Sequence, residues 1–409
     1  MFKKIVIAFL VISYLYVLTF GIFLNNFFRI PTPFVFGLPL LILSGTFKNP
    51  TFFYKREILL FIVATFFAFA LVQSDFAAFV ANIIIVFFCV LYFNYFVNSS
   101  WYRYKISVIV FYIWLGVSSV VMLLNHIFPS QIDAVRVFLT GYTPGFQSPS
   151  GISQYIFTFG YQAAAFTSFV FTYGIIYYRP LIVKLLILVS VLLIIYFGLQ
   201  RSVLVTFGLS SVLLLVFFYR LKAVWILSVV ALIGILVFST VTEKTKNYDN
   251  IFAKNERNPS GGRSELVAEN LKILTEYPYG LIFHGKSWKE ASRNSPVFSS
   301  GISSHNAYLM FVTYLGPFLG IGFLLALYHK IWRIFKFTFA NLYDIRIALL
   351  VCLSFSFLSV SLNSLSHNAW LLNGNGPTIF LYFAILHFGR FFLEKPAIDH
   401  YDTKTSTYQ

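Results

Sequence analysis

The chain has 409 residues, 58% of them hydrophobic, 20% aromatic and only 11% charged. That balance excludes a soluble globular domain, and the absence of alternating ten-residue strands argues against an outer-membrane barrel. The net charge of +16 would suit a nucleic-acid partner, but its placement along the chain assigns it to topology instead.

The hydropathy pattern predicts an all-α polytopic membrane protein, because backbone groups in lipid must be satisfied within each segment. Twelve spans are read at 4–24, 32–47, 58–74, 77–97, 106–125, 152–178, 181–199, 202–219, 223–241, 305–329, 346–362 and 377–393. The first follows Met1-Phe2-Lys3-Lys4 and resembles a signal peptide, but its apolar run is too long and no small-residue cleavage site follows. It is read as a retained span. Cys89 and Cys352 both fall inside spans, which suggests packing residues rather than a disulfide or a metal site.

With the N-terminus inside, 18 of the 30 basic residues fall on inner segments. The short outer loops hold three, Arg29, Arg136 and Arg201, and the long loop holds the other nine. Long loops translocate largely regardless of charge, so the 18-to-3 split sets the orientation. Both termini are then cytoplasmic, including the tail 394–409, and the inner positive charge meets anionic lipid headgroups. Trp101, Trp225 and Trp332 lie at inner span ends, where interfacial anchoring accounts for them. The domain reading is nine spans over 1–241, one large extracytoplasmic loop over 242–304 and three spans over 305–393.

The candidate chemistry lies in the outer segments. Loop 126–151 carries Asp133 and Arg136, which either pair with each other or leave Arg136 as an anion contact. Arg201 sits in the tight turn Gly198-Leu199-Gln200-Arg201-Ser202, and an arginine at the membrane boundary is by default a functional candidate. Its planar fork suits a phosphate. In the large loop, Asn258-Pro259-Ser260-Gly261-Gly262 predicts a turn and 264–276 an amphipathic helix that stops at Tyr277-Pro278. Arg263 stands at the start of that helix, where a bound anion would offset the clash of a cation with the macrodipole. Phe283, His284, Trp288 and Phe298 follow, among several serines. Aromatic and hydroxyl groups together suit sugar faces or a loop lying on the bilayer surface.

Ser304-His305-Asn306-Ala307-Tyr308-Leu309 returns as Ser366-His367-Asn368-Ala369-Trp370-Leu371. Both copies fall at outer span ends, so two imidazoles that titrate near neutral pH are expected in one outer cavity. Gly316-Pro317-Phe318-Leu319-Gly320 lies inside a span and is read as a kink with close helix packing, not as a nucleotide loop. No ATP-binding motif and no DxD-type carboxylate pair occur, so no cofactor or metal is expected and the substrate must carry its own activation. The first six spans show no duplication in the last six, which weighs against a transporter.

Twelve spans with cytoplasmic ends and one large outer loop before the tenth resemble the bacterial O-antigen polymerase and ligase superfamily. The resemblance runs through Arg201 at its outer turn, and Arg263 followed by Pro278 and Gly280. It continues through Ser304 to Leu309, Tyr314-Leu315-Gly316 and Gly320, with Arg136 to Ser150 like the earlier outer loop. Ser150 stands where that family commonly has Asn, and Val267 where it often has Trp.

This resemblance implies metal-independent glycosyl transfer at the outer face of the cytoplasmic (inner) membrane, with a glycan on undecaprenyl diphosphate as donor. It implies His305, Arg201 and Arg263 as catalytic residues, and Arg136, Asn306, Tyr308, His367 and Trp288 as substrate-binding ones. Membrane lipids, a chain-length regulator and a flippase are the implied partners. Polymerisation of repeat units into O-antigen or capsule-type polysaccharide is the first reading and ligation to lipid A-core the second. A flippase of lipid-linked oligosaccharide and a non-catalytic scaffold are the readings from other classes.

Overall fold

The computed structural model describes residues 2–24, 30–44, 52–140, 150–152, 159–177, 180–228, 261–295, 297–298 and 304–393. Regular structure among the described residues is helical throughout. Six helices are long and apolar enough to cross a membrane. The expectation of a helical membrane protein holds at that level.

In chain order the helices are α1 (Phe2–Phe20), α2 (Leu38–Ser44, entered through a π-turn Pro33–Gly37), α3 (Lys55–Thr65, continued as a π-helix Phe66–Val72) and α4 (Phe76–Leu91, continued as a π-helix Tyr92–Val97). Then come α5 (Trp101–Ile127), α6 (Pro129–Thr140), α7 (Phe159–Tyr177), α8 (Leu181–Phe197), α9 (Arg201–Tyr219) and α10 (Gly261–Glu276). Last are α11 (Ala307–Ala340), α12 (Ala348–Asn363) and α13 (Gly376–Leu393). Polar caps mark where apolar runs become helices. Asp75 accepts from the Ala78 amide at 2.9 Å, Ser100 from Arg103 at 3.3 Å and Asn306 from Leu309 at 3.0 Å.

α13 is apolar all round and buried along nearly its whole length, as an interior helix should be. α12 packs along α7 and also against α9 and α13, so these four helices form the centre. Lipid-like surroundings offer little hydrophobic drive between helices, so small residues and hydroxyls do the joining. Tyr112 donates to Ser356 at 2.8 Å, and Ser356 donates to the Ala165 carbonyl at 2.8 Å. Ser118 donates to Gln162 at 2.6 Å, and Ser168 meets Ser210 at 3.2 Å. The outer helices keep one apolar side exposed, such as Leu185, Leu186 and Val189 on α8.

Polar contacts also tie the helix ends together. Lys330 pairs with Glu57 at 2.7 Å, and Arg103 donates to the Phe96 carbonyl at 2.7 Å. His387 lies between the Tyr54 hydroxyl at 2.5 Å and the Asn98 carbonyl at 2.6 Å. His126 meets the Phe197 carbonyl at 2.5 Å, and Gln73 donates to Tyr314 at 3.1 Å.

Three expectations change. The span expected at 305–329 is not one helix. Gly316 adopts φ 79° and ψ 164°, and α11 breaks there into limbs 307–315 and 317–340. The limbs fold back so sharply that the Tyr308 and Tyr328 hydroxyls lie 3.1 Å apart. In a continuous helix their backbones would be about 30 Å apart. Loop 126–151 is largely helical where described, since α5 runs to Ile127 and α6 follows. The loop helix starts at Gly261, so Arg263 lies within its first turn. Most of the span read at 223–241, the turn at 258–260 and the tail 394–409 lie outside the described residues.

Candidate functional site

The site is built where two tight turns meet. Leu199 takes φ +52°, turning the chain from α8 into α9, whose first residue is Arg201. The preceding Gln200 places no side-chain cap on the helix start. Arg201 therefore stands in the first turn of α9, at the positive end of the helix dipole.

The second hexapeptide packs against this start. His367 Nε2 lies 2.9 Å from Ser202 Oγ, and the His367 ring is 5.9 Å from that of Tyr161 on α7. The Tyr161 hydroxyl donates to the Ala369 carbonyl. His367 is buried, and so are Ser202 and Gln200.

The first hexapeptide docks on the second through the backbone. The Ala307 amide donates to both the Ser364 and His367 carbonyls, each at 3.0 Å. The aromatic residues at matching repeat positions, Tyr308 and Trp370, meet with ring centroids 5.1 Å apart. Tyr308 also donates to the Ser361 carbonyl at 3.1 Å. His305 takes φ +50°, a conformation uncommon outside glycine, and Asn306 caps the helix that follows. The two copies are thus in direct contact through the backbone.

Beneath the turns lies Asn363, fully buried, with both amide atoms lacking a hydrogen-bond partner among the described residues. A Cβ on Gly160 would sit 3.4 Å from Gln200 Oε1 and 3.6 Å from Asn363 Nδ2. Two amide side chains thus converge on one point beside the start of α9.

The remaining candidates are placed elsewhere. Arg136 is buried on α6 and bonds Asp133 at 2.8 Å and Asn125 Oδ1 at 3.2 Å. Asn125 also accepts the Ser150 amide at 3.2 Å. Burial draws the Arg136 pKa below the usual guanidinium value, and Asp133 opposes that shift. The group fastens α5, α6 and Ser150 together, with Arg136 paired to Asp133. Trp288 opens a single helical turn capped by Ser287 and Glu290. Its ring packs on Phe298 at 5.2 Å and Tyr314 at 5.9 Å, at the apex of α11. For Arg263 the structure describes the backbone within α10, and its side chain lies outside the described residues. α10 is held to the 307–315 limb by Asn270, which accepts from Thr313 at 2.5 Å and donates to Met310 sulfur at 3.2 Å.

Sequence reasoning missed Tyr161, Ser202, Gln200 and Asn363. Tyr161 and Asn363 lie among the scattered polar residues of apolar segments, a pattern shared with ordinary interhelical packing, and Gln200 and Ser202 are overshadowed by Arg201 between them. No group of three His, Cys, Asp or Glu side chains forms among the described residues. Comparison with protein families and with characterised proteins finds no match to the chain. Beside the start of α9 the structure gathers the Ser202 hydroxyl, the His367 ring and the Gln200 and Asn363 amides, with the His305–Asn306 segment docked on the second hexapeptide.

Proposed function

We propose that this chain transfers glycans at the outer face of a bacterial cytoplasmic membrane, polymerising undecaprenyl-diphosphate-linked repeat units. The observation that carries the reading is the docking of the two hexapeptides beside the Arg201 end of α9. It supports the reading because the segments carrying His305 and His367 meet beside the start of α9, the turn that the charge count assigns to the outside.

In the proposed reaction His305 removes the proton from an acceptor sugar hydroxyl. The resulting oxygen attacks the anomeric carbon of the donor. The bond from that carbon to the diphosphate breaks, and its electron pair leaves with undecaprenyl diphosphate. Arg201, Arg263 and the α9 dipole stabilise the charge gathering on the leaving group, a contribution of several kcal/mol in such sites. His367, Asn306 and Tyr308 shape the acceptor side. Arg136 fastens α6 to α5 through Asn125, and Trp288 packs on Tyr314 near the α11 apex.

The test is incubation of the purified protein with lipid-diphosphate-linked repeat units. A ladder of longer lipid-linked chains supports polymerisation. Transfer solely on addition of lipid A-core indicates ligation, and movement of substrate across a vesicle without transfer indicates a flippase.

A further inference from the structure

The chain from α10 to Phe298 carries aromatic residues with two different fates. Trp288 packs on both Phe298 and Tyr314. Tyr279 and Phe283 instead stand 63% and 65% exposed. Exposed aromatics four residues apart on a short ordered stretch call for a partner.

Their depth is set by three contacts. A Cβ on Gly280 would overlap the Gly316 backbone nitrogen, and one on Gly316 would overlap the Tyr279 carbonyl oxygen, so these backbones touch. Gly280 and Gly316 both take positive φ, at 93° and 79°, which allows that approach. Two residues past the contact, Phe318 is 82% exposed at the head of the 317–340 limb, and Ile321 and Leu325 continue its apolar stripe. The turn Leu281–His284 also packs against Phe66–Val72, the final π-helical stretch of α3, where Leu71 is exposed. Tyr279 and Phe283 therefore lie level with the apolar ends of two membrane helices.

We propose that residues 279–283 are inserted in the interfacial layer of the bilayer, with Tyr279 and Phe283 among lipid and Lys286 and Lys289 on the aqueous side. Aromatic side chains favour this layer, and their surface continues the lipid-facing stripe of α11. The large outer region is then part of the membrane surface at this edge, not a domain held clear of it. The inference is independent of the proposed transfer reaction.

The test replaces Cys89 and Cys352 with Ala and attaches a nitroxide at Phe283→Cys, Tyr279→Cys, Phe318→Cys or Lys289→Cys in phosphatidylcholine vesicles. Collision with dissolved oxygen and with a water-soluble nickel chelate then reports depth at each position. The expected result is that labels at 279 and 283 follow 318, with an oxygen-to-nickel ratio several-fold above that at 289. Labels at 279 and 283 that follow 289 would overturn the proposal and leave a water-facing surface open to saccharide.

Discussion

At the scale of single residues, the account assigns charge stabilisation to Arg201 and structural support to Arg136. Removing one preorganised charge-stabilising donor typically costs about 10²–10³ in rate. Arg201→Ala should lower glycan elongation by about that factor, with Arg201→Lys retaining more because its charge remains while the fork is lost. Quantifying chain length from equal amounts of folded protein checks this, and elongation equal to that of the parent would remove Arg201 from the mechanism. For Arg136, Asp133→Asn leaves a buried guanidinium without its counter-charge. Asp133 is partly exposed, so the cost should be about 1–3 kcal/mol, not the full value of a buried pair. It should appear as a lower melting temperature in detergent, with the activity of the remaining folded protein retained. The repeated hexapeptides and the i,i+3 spacing of Asp133 and Arg136 were legible in the chain. The Ser202–His367 contact was not, because its partners are 165 positions apart and no local pattern links them.

The next scale is that of helices and turns, where α11 shows what local pattern can and cannot reveal. Gly316-Pro317 announced an interruption, yet not a fold-back. That depends on Tyr279-Gly280 wedging against Gly316 and on Tyr308 reaching Ser361 and Tyr328. Tyr308→Cys with Tyr328→Cys, in a chain lacking Cys89 and Cys352, should therefore be joined by a bismaleimide with a spacer of roughly 10 Å. A continuous helix would hold the two about 30 Å apart and give no intramolecular product. The turn at Trp288 offers a pH test. Hydrogen bonds from the Ser287 amide and hydroxyl hold the Glu290 carboxyl below its usual range. A depressed carboxyl stabilises the turn above the unfolded-state pKa, and that contribution is lost as pH falls through the folded-state value. Amide protection over 287–291, taken relative to the intrinsic exchange rate at each pH, should hold at neutral pH and fall once the pH drops below the ordinary carboxylate range. Glu290→Gln should abolish that pH dependence. Protection unchanged down to acid pH would exclude the capping carboxylate as its source.

Across the whole molecule, sequence and structure agree on a helical membrane protein. Composition sufficed for that much, because the bilayer constrains every span in the same way. The centre of the bundle was harder to read. α7 carries Gln162, Thr167, Ser168 and Thr172, all buried, which lowers its hydropathy although it lies in the middle. α13 looks like any lipid-facing span, yet is enclosed by its neighbours. The most direct measurement compares the parent with His305→Ala in proteoliposomes supplied with lipid-diphosphate-linked repeat units, after both show the same melting temperature. The account predicts a ladder of lengthened lipid-linked glycan for the parent and a loss of about 10²–10⁴ in its rate for the variant. Equal ladders from the two proteins, or none from a folded parent, would contradict it.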